Sequence, residues 1–208
     1  MDQALQAPPY PADTVEVRAL SGGRPVVLRP LGPADAEMLQ AFVRALSPAS
    51  RRLRFQTALT ELYPALLAQL TRVDHREHAA FAAVIYEDGV ATMIGEARYA
   101  PSGERDGASE FAMAVADAWQ HQGLGSALID KLLRHARNSG IRLIHGDVLQ
   151  ENAGMLRLAR RLGFRLRLHP DGAWLARATL GLRDADSLPP LSQRPPAAAA
   201  VPQGAARP

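Results

Sequence analysis

In the stretch WQHQGLGSALIDKLL (residues 119–133), Gly123 and Gly125 follow polar residues and open an amphipathic run. Main-chain N–H groups at a helix start have no intrahelical partner, and they lie at the positive end of the helix dipole. Glycines remove the side chains that would hold an anion away, so the chemistry open to this turn is phosphate binding, and a pyrophosphate fits it. A P-loop needs Lys and Ser or Thr after its last glycine, and Ser126 and Ala127 follow here. A dinucleotide fingerprint needs a third Gly or Ala where Leu128 stands, within a βαβ unit. Two glycines taken alone also suit a plain strand-to-helix turn.

The elements that must hold this turn alternate clearly. Residues 24–30 read as a short strand. Residues 33–46 read as a helix with proline in its first turn, and 47–55 as a second with Ser47 as N-cap and Pro48 as N1. "YPALLAQLT" is a third helical piece. Residues 78–87, 92–100 and 109–115 read as three strands joined by short breaks, which implies antiparallel pairing. After Gly123 the period returns to that of a helix, with Leu124, Leu128 and Leu132 on one stripe and Gly140 as its stop. Residues 143–149 form a strand, and 152–163 a helix capped by Asn152 and ended by Gly163. Two further strands turn at Asp171 and Gly172. This order predicts an α+β domain with a mixed, mostly antiparallel sheet flanked by helices over residues 24–183. Residues 1–23 are expected as a flexible N-terminal extension, and the Pro/Ala-rich residues 184–208 as a disordered tail.

Composition narrows the function. The 208 residues, 47% hydrophobic, can bury a sizeable core, yet no run approaches the ~20 apolar residues of a membrane span. No signal peptide is expected. Without cysteine there is no disulfide, no thiolate zinc site and no cysteine nucleophile. The histidines fall singly, so no metal is expected. The net charge of +3 comes almost wholly from scattered arginines. It favours an acidic partner or a polyphosphate ligand, and neither nucleic acid nor a membrane is expected. The expected location is the cytoplasm.

Gln120-His121-Gln122-Gly123-Leu124-Gly125 resembles the Gln/Arg-x-x-Gly-x-Gly/Ala signature of the GNAT superfamily of N-acetyltransferases. The element order is similar to that fold, and so is the Asn152 helix ending in Gly163-Phe164. The resemblance spans roughly residues 23–182. Within the superfamily, "LSPASRRLRF", "IGEARYA", "SEFAMAVADAWQHQGLG" and "GDVLQENAGMLRLARRLGF" look most like the bacterial Pat-type protein lysine acetyltransferases. The resemblance implies acetyl-CoA as co-substrate. Main-chain groups of Met113, Ala114 and Val115 would pair with its pantetheine arm, and the amides of His121, Gln122, Gly123, Leu124, Gly125 and Ser126 would hold its pyrophosphate. Asn152 would touch the pantetheine, in addition to or instead of serving as an ordinary N-cap.

Transfer to an amine needs the neutral amine. A lysine of pKa ~10.4 is neutral in about one molecule in a few thousand at pH 7, a deficit of roughly 4–5 kcal/mol. A carboxylate that takes the proton removes part of it. In Pat-type enzymes a glutamate at the place of Glu110 is the base, and strand alternation puts Glu110 on one face with Ala112 and Ala114, which leave room for substrate. Asp147, on the neighbouring strand, is the second candidate. Glu96 is the third and suits better as a structural partner for an arginine. Arg51, Arg54 and Phe55 border the acceptor groove in this fold, where they either recognise an acidic or backbone feature of a substrate or pack and solvate. Ala159 stands where many GNAT enzymes carry a tyrosine acid, a lack the Pat-type group shares. Lys131, the single lysine, is expected at the border of the buried stripe with its amine in solvent. The expected activity is acetyl transfer to a protein lysine; the alternatives are a small amine acceptor or a silent acyl-CoA-binding sensor.

Overall fold

The computed structural model describes residues 14–103 and 107–182. Most of the expected N-terminal extension, and all of the expected C-terminal tail, lie outside the described residues. The strands are β1 (Glu16–Ala19), β2 (Pro25–Pro30), β3 (Ala79–Glu87), β4 (Val90–Pro101), β5 (Ala108–Val115), β6 (Leu143–Leu149), β7 (Arg165–His169) and β8 (Gly172–Gly181). The helices are α1 (Ala36–Ala45), α2 (Pro48–Phe55), α3 (Pro64–Thr71), α4 (Leu124–Asn138) and α5 (Ala153–Arg161). The strands form one sheet of eight in the order β1-β2-β3-β4-β5-β6-β8-β7. Every neighbouring pair is antiparallel except β5 and β6, which are joined by the α4 crossover that a parallel pair requires.

Two apolar layers cover the sheet. On one face Leu124, Leu128 and Leu132 of α4 pack with Leu156 and Ala159 of α5 against Phe81, Ile94 and Phe111. On the other, Leu39 and Phe42 of α1, Phe55 of α2 and Leu66 of α3 pack against Ala82, Val84 and Ala114. The helix signals act as expected. Ser47 caps α2, its Oγ accepting from the Ser50 amide at 3.1 Å, and Pro48 follows at the first helical position. Gly140, at φ +80°, ends α4 while the Ile141 amide returns to the Ala136 carbonyl. No helix among the described residues is long and apolar enough to cross a membrane.

The boundary expected at Gly23 moves toward the N-terminus. β1 pairs with β2 from Glu16↔Leu28 to Ala19↔Pro25, so the sheet already includes residues 16–19 of the expected extension. This edge strand has only four residues, and its polar–apolar alternation is turned the unexpected way, with Val17 exposed and Glu16 half-buried. β1 also corrects the placement of Lys131. That residue is only 5% exposed. Its Nζ lies 3.1 Å from Glu16 Oε1 and 5.1 Å above the Phe81 ring centre. The helical stripe placed Lys131 at the border of the core; the added strand then closed over it.

Burial alone would raise the Glu16 carboxyl, but hydrogen bonds from Arg134, Lys131 and Arg18 lower it from 4.5 to about 2. A depressed carboxyl contributes stability above its unfolded value and loses it as pH falls through its folded value. The difference in thermal midpoint between wild type and Glu16→Gln should therefore be full above the ordinary value of 4.5 and shrink as pH falls toward about 2. Mild acetic anhydride should modify Lys131 in urea but not in the native protein, and Glu16→Gln should restore its reactivity. Peptide mass spectrometry reads both outcomes.

Candidate active site

The β5–β6 ladder consists of Ala108↔Leu143, Ser109↔Ile144 and Glu110↔His145, and goes no further. Beyond Glu110 the strands part. A Cβ at Gly146 would lie 2.7 Å from the Phe111 ring and 3.0 Å from the Phe111 carbonyl oxygen, so only glycine lets that ring sit against β6. On its other side β5 stays paired with β4 as far as Gly95↔Val115. The edge of residues 111–115 that faces β6 is therefore without a strand partner, the place where an extended ligand can hydrogen-bond as a strand would.

A cleft of about 560 Å3 opens at this divergence. Glu110, Met113, Ala114, Val115, His121, Gly123, Gly125, Ser126, Asp147 and Asn152 all line it, together with residues 50 and 53–55 of α2, its C-cap Gln56 and part of α5. Two of the expected residues do not line it. The Gln122 side chain turns away to donate to the Ala118 carbonyl at 2.9 Å, and the Leu124 side chain is in the core.

The turn into α4 has the features of an anion site. Gly123 is the N-cap residue at φ +89°, and no side chain caps the first amides of the helix. His121 is also left-handed, at φ 62°. A Cβ at Gly125 would meet Met113 Cε at 3.2 Å and Leu158 Cδ2 at 3.3 Å, so β5, α4 and α5 close around the turn. Arg161 Nη2 donates to Ser126 Oγ at 2.7 Å, and Arg157 lines the same wall. The sequence reading does not single out these two arginines; their i, i+4 spacing on one helix face is the signal that points to them. Asn152 caps α5, accepting from the Met155 amide at 3.0 Å, while also lining the cleft. Ala159 belongs to the core, and no tyrosine is among the described residues that line the cleft.

The two candidate bases differ in their surroundings. Asp147 is closed in, with 2% of its side chain exposed. Arg177 donates to it twice, at 2.8 and 2.9 Å, and His169 Nε2 lies 3.2 Å away. A carboxylate held this way is committed to its arginine. Glu110 is half-buried on the cleft wall, at the point where the strands part. Its register partners across the sheet are Ala100 and His145.

The segment of α2 bridges the parting strands. At one end Asp117, just after β5, accepts from the Ser47 amide (2.9 Å), Ser47 Oγ (2.7 Å) and Ser50 Oγ (2.7 Å). Burial would raise the Asp117 carboxyl, and these bonds hold it below the usual range. Gln120 Nε2 donates to the Val115 carbonyl and to Ser50 Oγ. At the other end Gln56 Nε2 donates to the Asp147 carbonyl at 3.0 Å, and Arg52 pairs with Glu151. Between them Arg54 Nε lies 2.8 Å from Glu96 Oε1, and Arg98 Nε 2.9 Å from Glu96 Oε2, all three side chains being buried. Burial would raise the Glu96 carboxyl, but the charges of Arg98 and Arg54 keep it below its usual value. Glu96 is thus the structural partner of an arginine, and of two at once.

The model of the acetyltransferase (GNAT) family matches residues 40–164. The acetyltransferase PA5475 of Pseudomonas aeruginosa is 38% identical over 155 residues, covering 74% of this chain and 83% of that protein. The acetyltransferase Pat of Mycolicibacterium smegmatis is 32% identical over 136 residues, and the match covers 65% of this chain but 40% of Pat. Among solved structures, the GNAT domain of S. lividans PAT superposes with a TM-score of 0.75 at 27% identity, over 83% of this chain and 99% of that domain. The cleft between parting parallel strands, the glycine turn at its wall and the match over most of the folded chain agree: this chain belongs to the GNAT family of acetyltransferases.

Proposed function

We propose that the enzyme transfers the acetyl group of acetyl-CoA to a protein lysine, with Glu110 as general base. One observation carries this reading: a single cleft joins the open edge of β5, the uncapped start of α4 and the Glu110 carboxylate. In this reading the amides of residues 121–126 receive the pyrophosphate, with Arg157 and Arg161 adding positive charge. The pantetheine pairs along residues 113–115, and Asn152 adds a polar contact. The thioester then lies near Glu110 and Ala112. The amine gives its proton to Glu110, directly or through water, and attacks the carbonyl carbon. A main-chain N–H of β5 stabilises the oxyanion. The tetrahedral species collapses with loss of the C–S bond, CoA leaves as a thiolate, and the proton still on the nitrogen passes through water to that thiolate. Asp147, held by Arg177, fixes the β6 wall and is not the base.

Glu110→Gln keeps the shape and removes the proton acceptor. It should lower kcat about 10²–10⁴-fold while leaving acetyl-CoA affinity near wild type. Stopped thiol-release kinetics and calorimetry read the two quantities; a near-normal kcat would show that another group takes the proton. Gly125 has an ordinary φ and its nearest neighbours are the far ends of flexible side chains, so Gly125→Ala should fold and bind. Gly125→Glu should place a carboxylate where the phosphates go and abolish acetyl-CoA binding with the fold intact by circular dichroism. Undiminished binding would remove the turn from the site.

A further inference from the structure

The buried cluster of Arg54, Glu96 and Arg98 holds two guanidiniums and one carboxylate, so its formal charge is +1. Nη2 of Arg54 and Nη2 of Arg98 are both buried without a hydrogen-bond partner. Orphaned guanidinium donors are costly, and a carboxylate is the strongest acceptor that can satisfy them. Arg54 forms part of the cleft wall. It lies on the sheet face of α1–α3, opposite the face where α4 and its anion-binding turn pack. The phosphates of CoA therefore do not account for it.

We infer that Arg54, backed by Arg98, selects acceptors that carry a carboxylate a short distance from the reacting amine. This rests on the lysine-acetylation reading and names the sequence context of that lysine. The register sets the distance. Glu110 pairs with Ala100, Ala112 with Arg98, and Ala114 with Glu96, all on one face. At about 3.3 Å per residue, the cationic cluster sits roughly 7–13 Å along β5 from Glu110. An acidic side chain one or two residues from a target lysine spans that gap. The α-amine of a free amino acid does not, since its carboxylate is only two bonds away. A basic neighbour to the lysine would meet the cluster's excess charge and be rejected.

The test uses the full chain, acetyl-CoA and N-terminally blocked peptides with a single lysine, flanked within two positions by Asp, Asn or Arg. The Asp peptide should have a KM about tenfold or more below the Asn peptide, with the Arg peptide weaker still and kcat changing little. Arg54→Met should raise the KM of the Asp peptide to that of the Asn peptide. Its fold should hold because Glu96 keeps Arg98; if it does not, Arg54→Lys and the wild-type preference carry the test. Equal KM values for all three peptides, with lysine acetylation intact, would overturn this inference alone. Failure to acetylate any peptide would overturn the lysine reading and this inference with it. The same carboxylate could arrive on the donor. Succinyl-CoA preferred over acetyl-CoA on the Asn peptide, with no preference among peptides, would reassign Arg54 to the acyl group.

Discussion

The site depends on a parallel ladder that stops after its third residue pair. Parallel strands joined by a helix normally zip along their length, because each unpaired backbone group away from water is costly. Here the ladder ends at Glu110↔His145, and at the next position the Phe111 ring lies against Gly146, where a side chain would collide with it. From 111 to 115 the β5 edge facing β6 is held open, while the β4 side keeps it straight. A sheet that was closed at this point would have neither a cleft nor an edge to offer a ligand.

The two sheet faces divide the work. α4 and α5 bring the uncapped helix start, Arg157 and Arg161 to one side. α2 brings Arg54 to the other, the face that also carries Glu110, Ala112 and Ala114. In the proposed reading the polyphosphate is received on one face and the acceptor amine on the other, which keeps their opposite electrostatic needs apart. The polyphosphate needs dense positive potential; a protonated amine needs a carboxylate nearby before it can lose its proton.

The placement of α2 is a polar affair as much as an apolar one. Phe55 anchors it in the core, but Asp117 and Gln120 tie its start to the segment after β5, and Gln56 ties its end to β6. It is thus fastened to both strands that part. The segment after β5 and α2 share hydrogen bonds through Ser50, to Asp117 and Gln120, so displacement of one strains the other.

Much of this was legible in the sequence. The stripe of Leu124, Leu128 and Leu132, the Ser47-Pro48 start, the stop at Gly140 and the order of elements are local, and local patterns survive folding because period and capping are properties of short segments. The glycine turn was legible for the same reason. Glu110 and Asp147 were both legible as carboxylates facing a groove, but not the difference between them, because Arg177 and His169 reach Asp147 only when β8 lies beside β6. Lys131 was misplaced because its amine is paired with Glu16, 115 positions away on a four-residue edge strand that turns Val17 outward and Glu16 inward. Sequence by itself thus determined the elements, the glycine turn at the start of α4 and the pool of candidate groups. Only the tertiary structure decided which carboxylate is neutralised, which lysine is covered and where a buried positive charge is left over, since charge pairing depends on distances of a few ångströms between residues that are distant in the chain.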